Sequence, residues 1–294
     1  MATTLNVTSN FKGEAAGEII GSIFKEAQTI KNGVFSVIPN IVGSAFLQKT
    51  RFTGSLKDYN CMFDPQGVID LTEVELHPKK LQLDLEVCKE KFRSRWSAAQ
   101  MGFSAWNDQV PANEQEALML EIGGSVSSQI ESSLWYGVQA TSGQFAGFIT
   151  LASADSAVTK ITGATVSPAN VIAELGKVLD ATRVEITNRP DFKFVVSTNV
   201  KRAYVRALNA GNYAQDPDEF EGFKLTVIDV LANNTMATFV SDHVSFGTGL
   251  ESDLNEVRVL DMTDVTLSDQ YRIGMKMTAG LVYIDGAEIV LYKQ

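Results

Sequence analysis

The chain has 294 residues, 45% hydrophobic and 20% charged, so it can bury a substantial core as one large domain or two intimate ones and is too apolar to be disordered. Its 35 acidic residues against 25 basic ones, a formal charge of −10, argue against tight nucleic-acid binding, which uses Lys and Arg to displace phosphate counterions. The most apolar stretch, Val34 to Phe46, is broken by Pro39, Asn40 and Ser44 and is too short to cross a bilayer, and MATTLNVTSN lacks the basic start and apolar run of a signal peptide, so manufacture and use in a cytoplasm are expected.

Residues 14–31 read as an amphipathic helix: Ile19, Ile20, Ile23, Phe24, Ala27 and Ile30 share a face, and Asn32-Gly33 supplies the stop. That helix packs either on its own domain or, as an N-terminal arm, on a neighbour. A mixed segment follows over 34–67, with turns at Pro39 and Pro65. Leu81, Leu83, Leu85 and Val87 then alternate with Gln82, Asp84, Glu86 and Cys88 in strict period two. With the strand-like run Val68 to Leu76 before it, this predicts a long β-hairpin over 68–88 whose basic tip is His77-Pro78-Lys79-Lys80. A two-stranded hairpin is barely stable alone in water, so it needs support from its own domain or from a partner.

Residues 113–137 predict a long helix, capped by Asn113 with Glu116 three positions on. Leu118, Ile122, Val126, Ile130 and Leu134 form a column that winds slowly around it. Gly123-Gly124 in its middle costs about 1 kcal/mol per glycine relative to alanine and marks either a mild bend or a close backbone approach. A third helix is expected at 167–182, with Ser167 as cap and Pro168 at its first position. A strand at 192–197, a helix near 199–209 and strands at 223–230, 236–240 and 256–262 follow. Near the C-terminus Tyr271, Ile273, Met275 and Met277 alternate with polar residues, and Asp285-Gly286 signals a hairpin joining 281–284 to 287–292. Interleaved helices and mostly antiparallel strands make the fold class α+β.

Residues that carry chemistry are sparse. The two histidines, His77 and His243, have no metal-ligand partner at i+4 and no cysteine nearby, and two unclustered cysteines, Cys61 and Cys88, cannot build a zinc site unaided. Both thiols are expected to be reduced. Gly247-Thr248-Gly249 lacks the third glycine of a dinucleotide fingerprint, Ser252 standing in its place, and reads as a loop. Asp216/Asp218 and Asp261/Asp264 read as surface acids. No Walker motif or nucleophile elbow occurs. No cofactor and no metal are expected, and catalysis is not; an α+β hydrolase would need a pocket joining His243 to a serine and an acid.

The order of these parts resembles the Hong Kong 97-type major capsid protein of tailed bacteriophages. The stretches that carry the resemblance are Val37-Ile38-Pro39-Asn40, Cys88-Lys89 with Phe92 and Trp96, Leu134-Trp135-Tyr136-Gly137, Phe145-Ala146-Gly147-Phe148, Ala279-Gly280-Leu281-Val282-Tyr283 and Glu288-Ile289-Val290-Leu291-Tyr292. They are most similar to capsid proteins of phages infecting Bacteroidetes, and they span nearly the whole chain. Each is a packing motif rather than a catalytic signature.

The resemblance implies an N-terminal arm over 1–50, an extended β-hairpin region over 51–95, the spine helix and peripheral domain over 96–165, a mainly axial domain over 166–265 and returning peripheral strands over 266–294. It implies self-assembly into hexamers and pentamers of an icosahedral virion capsid, built in the host bacterial cytoplasm around double-stranded DNA without specific binding. The portal is an implied partner and decoration proteins are candidates. The arm begins almost at Met1, which leaves no room for a cleaved scaffolding segment, so scaffolding is expected from a separate protein unless the chain is already processed. Candidate intersubunit contacts are Lys79, Lys80, Leu81, Leu83, Leu85 and Val87. The alternative is an encapsulin-type nanocompartment shell protein of the same fold with an enzyme cargo.

Overall fold

The computed structural model describes residues 9–12, 27–41, 43–59, 61, 64–88, 112–211, 216–249 and 256–294. Of the helix expected at 14–31, only a last turn, α1 (Gln28–Lys31), falls among them. Two six-stranded sheets and a separate two-stranded ribbon organise the described residues.

The first sheet runs β1 (Ser9–Lys12), β12 (Glu256–Asp261), β13 (Gln270–Tyr283), β11 (Val244–Thr248) and β2 (Ser36–Ile38), with β5 (Lys79–Cys88) also paired to β13. Register explains the alternation seen in the sequence. Leu81, Leu83, Leu85 and Val87 lie directly opposite Met277, Met275, Ile273 and Tyr271. All eight belong to one hydrophobic cluster, and the column Ile122, Val126, Ile130 and Leu134 of the long helix α2 (Ala112–Tyr136) joins them there. An amphipathic strand pair has one apolar face to cover, and an apolar helical stripe covers it. At Gly124 a side chain would meet open space, so no close backbone approach occurs at that glycine.

The second sheet runs β6 (Thr159–Thr162), β14 (Val290–Lys293), β10 (Met236–Val240), β7 (Phe192–Ser197), β9 (Phe223–Ile228) and β8 (Glu219–Phe220). Its central strands read as continuous apolar runs because both their faces are covered. Phe194, Val196 and Met236 face a second cluster built with α4 (Val171–Ala181) and α6 (Thr198–Gly211), while Val195, Ala237 and Phe239 face the first. Short helices α3 (Phe148–Ala154), α5 (Val184–Thr187) and α7 (Thr263–Thr266) complete the described set.

Two turn assignments are corrected. β4 (Gly67–Leu76) does not pair with β5; it pairs along its whole length with β3 (Ala45–Gly54), so the hairpin spans 45–76 and its tip is 55–66. The reason lies in Pro78. A two-residue hairpin turn here would need positive φ at both residues (type I′), which proline's ring forbids, or at His77 (type II′), which a residue with a Cβ disfavours, and the chain crosses at His77-Pro78 from the ribbon to the sheet. Asp285-Gly286 likewise makes no hairpin, because the Asp285 carboxylate accepts from the Ala287 amide, a 3₁₀ turn forms over Gly286–Glu288, and β14 pairs with β10 and β6 instead. The third helix starts at Val171 rather than Ser167, whose carbonyl accepts from the Val171 amide after an intervening turn. Gly247 lies within β11, not in a loop, where a Cβ would come within 2.5 Å of Ile41 Cδ1 and 2.6 Å of Leu76 Cδ2.

Candidate functional site

The ribbon β3–β4 stands out because several of its apolar side chains, Phe46, Phe52, Val68, Ile69 and Leu71, lie exposed. Cross-strand register puts Phe46, Gln48, Thr50 and Phe52 on one face with Ile69, Leu71, Glu73 and Glu75. On that face Phe46 is 63%, Phe52 69%, Ile69 64% and Leu71 66% exposed. On the opposite face Leu47, Lys49 and Val74 are half-buried toward the body and the ribbon's last residue, Leu76, is fully buried, while nearer the tip Val68 is 61% exposed. Where the ribbon reaches its tip the Phe52 ring lies over the facing pair Gly54 and Gly67, close enough that a Cβ at Gly67 would fall 2.7 Å from it.

The ribbon's inner face carries an ionic cluster. Lys49 Nζ binds the Asp285 carboxylate and lies 2.9 Å from Glu288 Oε1. Glu288 Oε2 pairs with His243 Nδ1, and Arg189 Nη1 lies 3.4 Å from His243 Nε2 while holding Asp191 at 2.9 and 2.8 Å. Burial alone would raise the Glu288 carboxyl, but the hydrogen bonds from His243 and Lys49 outweigh it and hold it at about 2. Asp285 is also held low, burial again being overcome by Lys49 and the Ala287 amide. Because the folded value of Glu288 lies below the unfolded one near 4.5, its contribution is fully present above pH 4.5 and is lost as pH falls toward 2. Discounted for partial exposure, it is on the order of 2 kcal/mol. Acid unfolding followed by circular dichroism should therefore show Glu288→Gln less stable than the parent above pH 5, with the difference shrinking toward pH 2.

A second buried node ties α1 to α2. The Thr29 amide donates to Glu131 at 3.2 Å, the Thr29 hydroxyl donates to the same carboxylate, and Trp135 Nε1 donates to Thr29 Oγ1 at 2.7 Å. Burial raises the Glu131 carboxyl, the bonds from Thr29 oppose that, and nearby Asp229 adds to the rise. Trp135 is fully buried against Phe35 and Phe148, and Gly147 donates its amide to the Gly137 carbonyl at 2.9 Å, so two of the stretches that carry the resemblance meet in one core.

The sequence-predicted contact residues are spent largely inside the subunit. Lys79 Nζ donates to the carbonyls of Gln139, Thr141 and Gln144 at 2.7–2.9 Å, fixing the loop after α2. Leu81, Leu83, Leu85 and Val87 are half-buried against α2, and Lys80 is exposed. His243 does meet an acid, but Arg189, not a serine, faces its second nitrogen. Asp216 and Asp261 accept from the amides of Asp218 and Thr263, and Asp218 pairs with Lys201. Among the described residues no group of three or more His, Cys, Asp or Glu is placed to hold a metal ion. Phe52, Ile69 and Leu71 are not singled out by sequence patterning because β3 is hidden in a mixed segment; its signal is the matched spacing of Phe52-x-Gly54 and Gly67-x-Ile69 about the tip.

No family model matches the sequence, and no curated protein does. Solved structures do. The satellite phage P4 procapsid, including the size determination (Sid) protein, superposes with a TM-score of 0.61 at 10% identity, over 94% of this chain and 98% of that one. The capsid of a native GTA particle gives 0.62 at 11% identity, over 91% and 89%. This is the Hong Kong 97-type capsid fold. A Gordonia phage, Cozz, shares the capsid fold with a TM-score of 0.61 at 14% identity, over 90% and 86%. Among the described residues α2 is the longest helix, and β3–β4 is a two-stranded ribbon paired to neither six-stranded sheet.

Proposed function

We propose that this chain is the major capsid protein of a tailed phage, a non-enzymatic subunit that closes into an icosahedral virion shell. The observation that carries the proposal is the ribbon face Phe46, Phe52, Ile69 and Leu71, exposed to solvent in a chain whose fold is that of phage capsid proteins. Apolar side chains left exposed together at the outer end of the ribbon, Phe52, Ile69 and Leu71, mark an interaction site, and an isolated two-stranded ribbon needs a second surface to rest on.

In this reading subunits form hexamers and pentamers in the host cytoplasm, and each ribbon lies over a neighbour. Within the arm, 1–50, β1 and β2 pair into their own subunit's first sheet and β3 belongs to the ribbon, so the described part of the arm rests on its own body; the axial segment 166–265 gathers at capsomer centres, and 96–165 with 266–294 make the peripheral domain. Lys79, Leu81, Leu83, Leu85 and Val87 support the shell by stiffening their own subunit, and Lys80 is the member of that group free to meet a neighbour's acid. Such exposed pairs contribute only about 0–1 kcal/mol each, so apolar burial dominates. The net charge of −10 suits a container that encloses DNA without gripping it. Scaffolding and portal proteins are separate partners.

Electron microscopy of the expressed full chain tests the reading: uniform closed particles or capsomer rings are expected, and monomers at every concentration would overturn it. Virus-like particles also occur with this fold, one from Pyrococcus furiosus matching with a TM-score of 0.54 at 11% identity, over 96% of this chain and 99% of that one. Genomic DNA inside native particles supports the phage capsid, and a packaged enzyme would support a nanocompartment instead.

A further inference from the structure

Among the described residues, the polar ties from the ribbon's side chains to its own body converge on Lys49. Its roots are short and irregular: Gly43, with φ +97 and open space around it, precedes β3, and His77-Pro78 follows β4. Beyond Lys49 the polar contacts of the described residues stay within the ribbon, as in Lys57 with Asp64, Gln66 with Asp64 and Tyr59 with Cys61. Lys49 alone among them reaches the body, and it reaches a stiff target. Asp285 and Glu288 sit on the 3₁₀ turn that joins β13 of the first sheet to β14 of the second. That turn is braced from behind: Tyr283 donates to Asp155 at 2.8 Å, Gly286 lies so close to Asp155 that a Cβ would collide with it, and His243 holds Glu288.

We infer that the Lys49–Asp285–Glu288 cluster is a clasp that sets the angle of the ribbon to the body and keeps the Phe46, Phe52, Ile69 and Leu71 face turned outward. Closed, it presents that face in one orientation; open, the ribbon pivots at Gly43 and His77-Pro78. A two-carboxylate grip on one ammonium that is partly shielded from water is stronger than an isolated surface pair and weakens with salt. The purpose of the clasp rests on the shell reading, but its existence is a property of the single subunit and is tested there.

The experiment uses the full chain with Cys88→Ser and Glu185→Cys, so that spin labels sit on the exposed thiol at Cys61 near the ribbon tip and on the exposed position 185 of the body. Pulsed dipolar spectroscopy of the unassembled subunit should give one narrow distance distribution. Lys49→Met, and separately Asp285→Asn with Glu288→Gln, should shift or broaden it, as should molar salt. Lys57→Met, which removes a pair confined to the tip, should leave it unchanged. Attacking the clasp from either side keeps the test decisive if one variant folds poorly. A narrow, unshifted distribution in both clasp variants, or a broad one in the parent, overturns the inference.

Discussion

On the proposed capsid function, Phe52→Glu combined with Ile69→Lys is expected to abolish closed particles while leaving the subunit folded. The two positions are directly opposed on the ribbon, so the new charges can pair with one another and preserve the strand register. Both parent side chains are about two-thirds exposed within the subunit, so little core is lost and the unfolding free energy should stay within about 0.5 kcal/mol of the parent. In a shell contact the same two side chains would each contribute roughly 1.5–3 kcal/mol on burial. Losing both amounts to about two to four orders of magnitude in the concentration needed to assemble. Light scattering against concentration, with circular dichroism on the same samples, reads both quantities. Particles that form at the parent's concentration would remove the ribbon face from the assembly contact.

The largest effect on the subunit itself is expected at Trp135. Its side chain is fully buried, it meets Phe35 and Phe148 at ring-centroid separations of 5.1 and 5.6 Å, and it donates to Thr29. Trp135→Ala leaves a large cavity where α2, α3 and the approach to β2 converge, and costs about 3–5 kcal/mol. It also removes the donor that orients the Thr29 hydroxyl toward Glu131, leaving a buried carboxylate less well supported. Urea unfolding should show a midpoint far below the parent's, with Trp135→Phe falling between the two. A cost below about 1 kcal/mol for the alanine variant would mean that the aromatic cluster does not organise this core.

What the sequence determined by itself is where the elements lie and which of their faces are buried. Ile122, Val126, Ile130 and Leu134 form a helical stripe, Leu81 to Val87 a period-two strand, and both patterns survive because each element must bury one face whatever it packs against. Resemblance along the chain points to the capsid fold even though the P4, GTA, Cozz and Pyrococcus structures are only 10–14% identical to it, because a fold of this kind is held by patterns of burial rather than by particular side chains. Tertiary structure alone decided the partners. Alternation in β5 announces a buried face but not that β13, nearly two hundred residues later, covers its edge, and β4 could have paired on either side until Pro78 excluded the near one. The hairpin expected at 68–88 is therefore the ribbon 45–76, and of the residues expected at its tip Lys79 braces the loop after α2 while His77 and Lys80 stay exposed. The Lys49 cluster was illegible for the same reason: its members come from residues 49, 189, 243, 285 and 288, and only the folded chain brings such distant charges together.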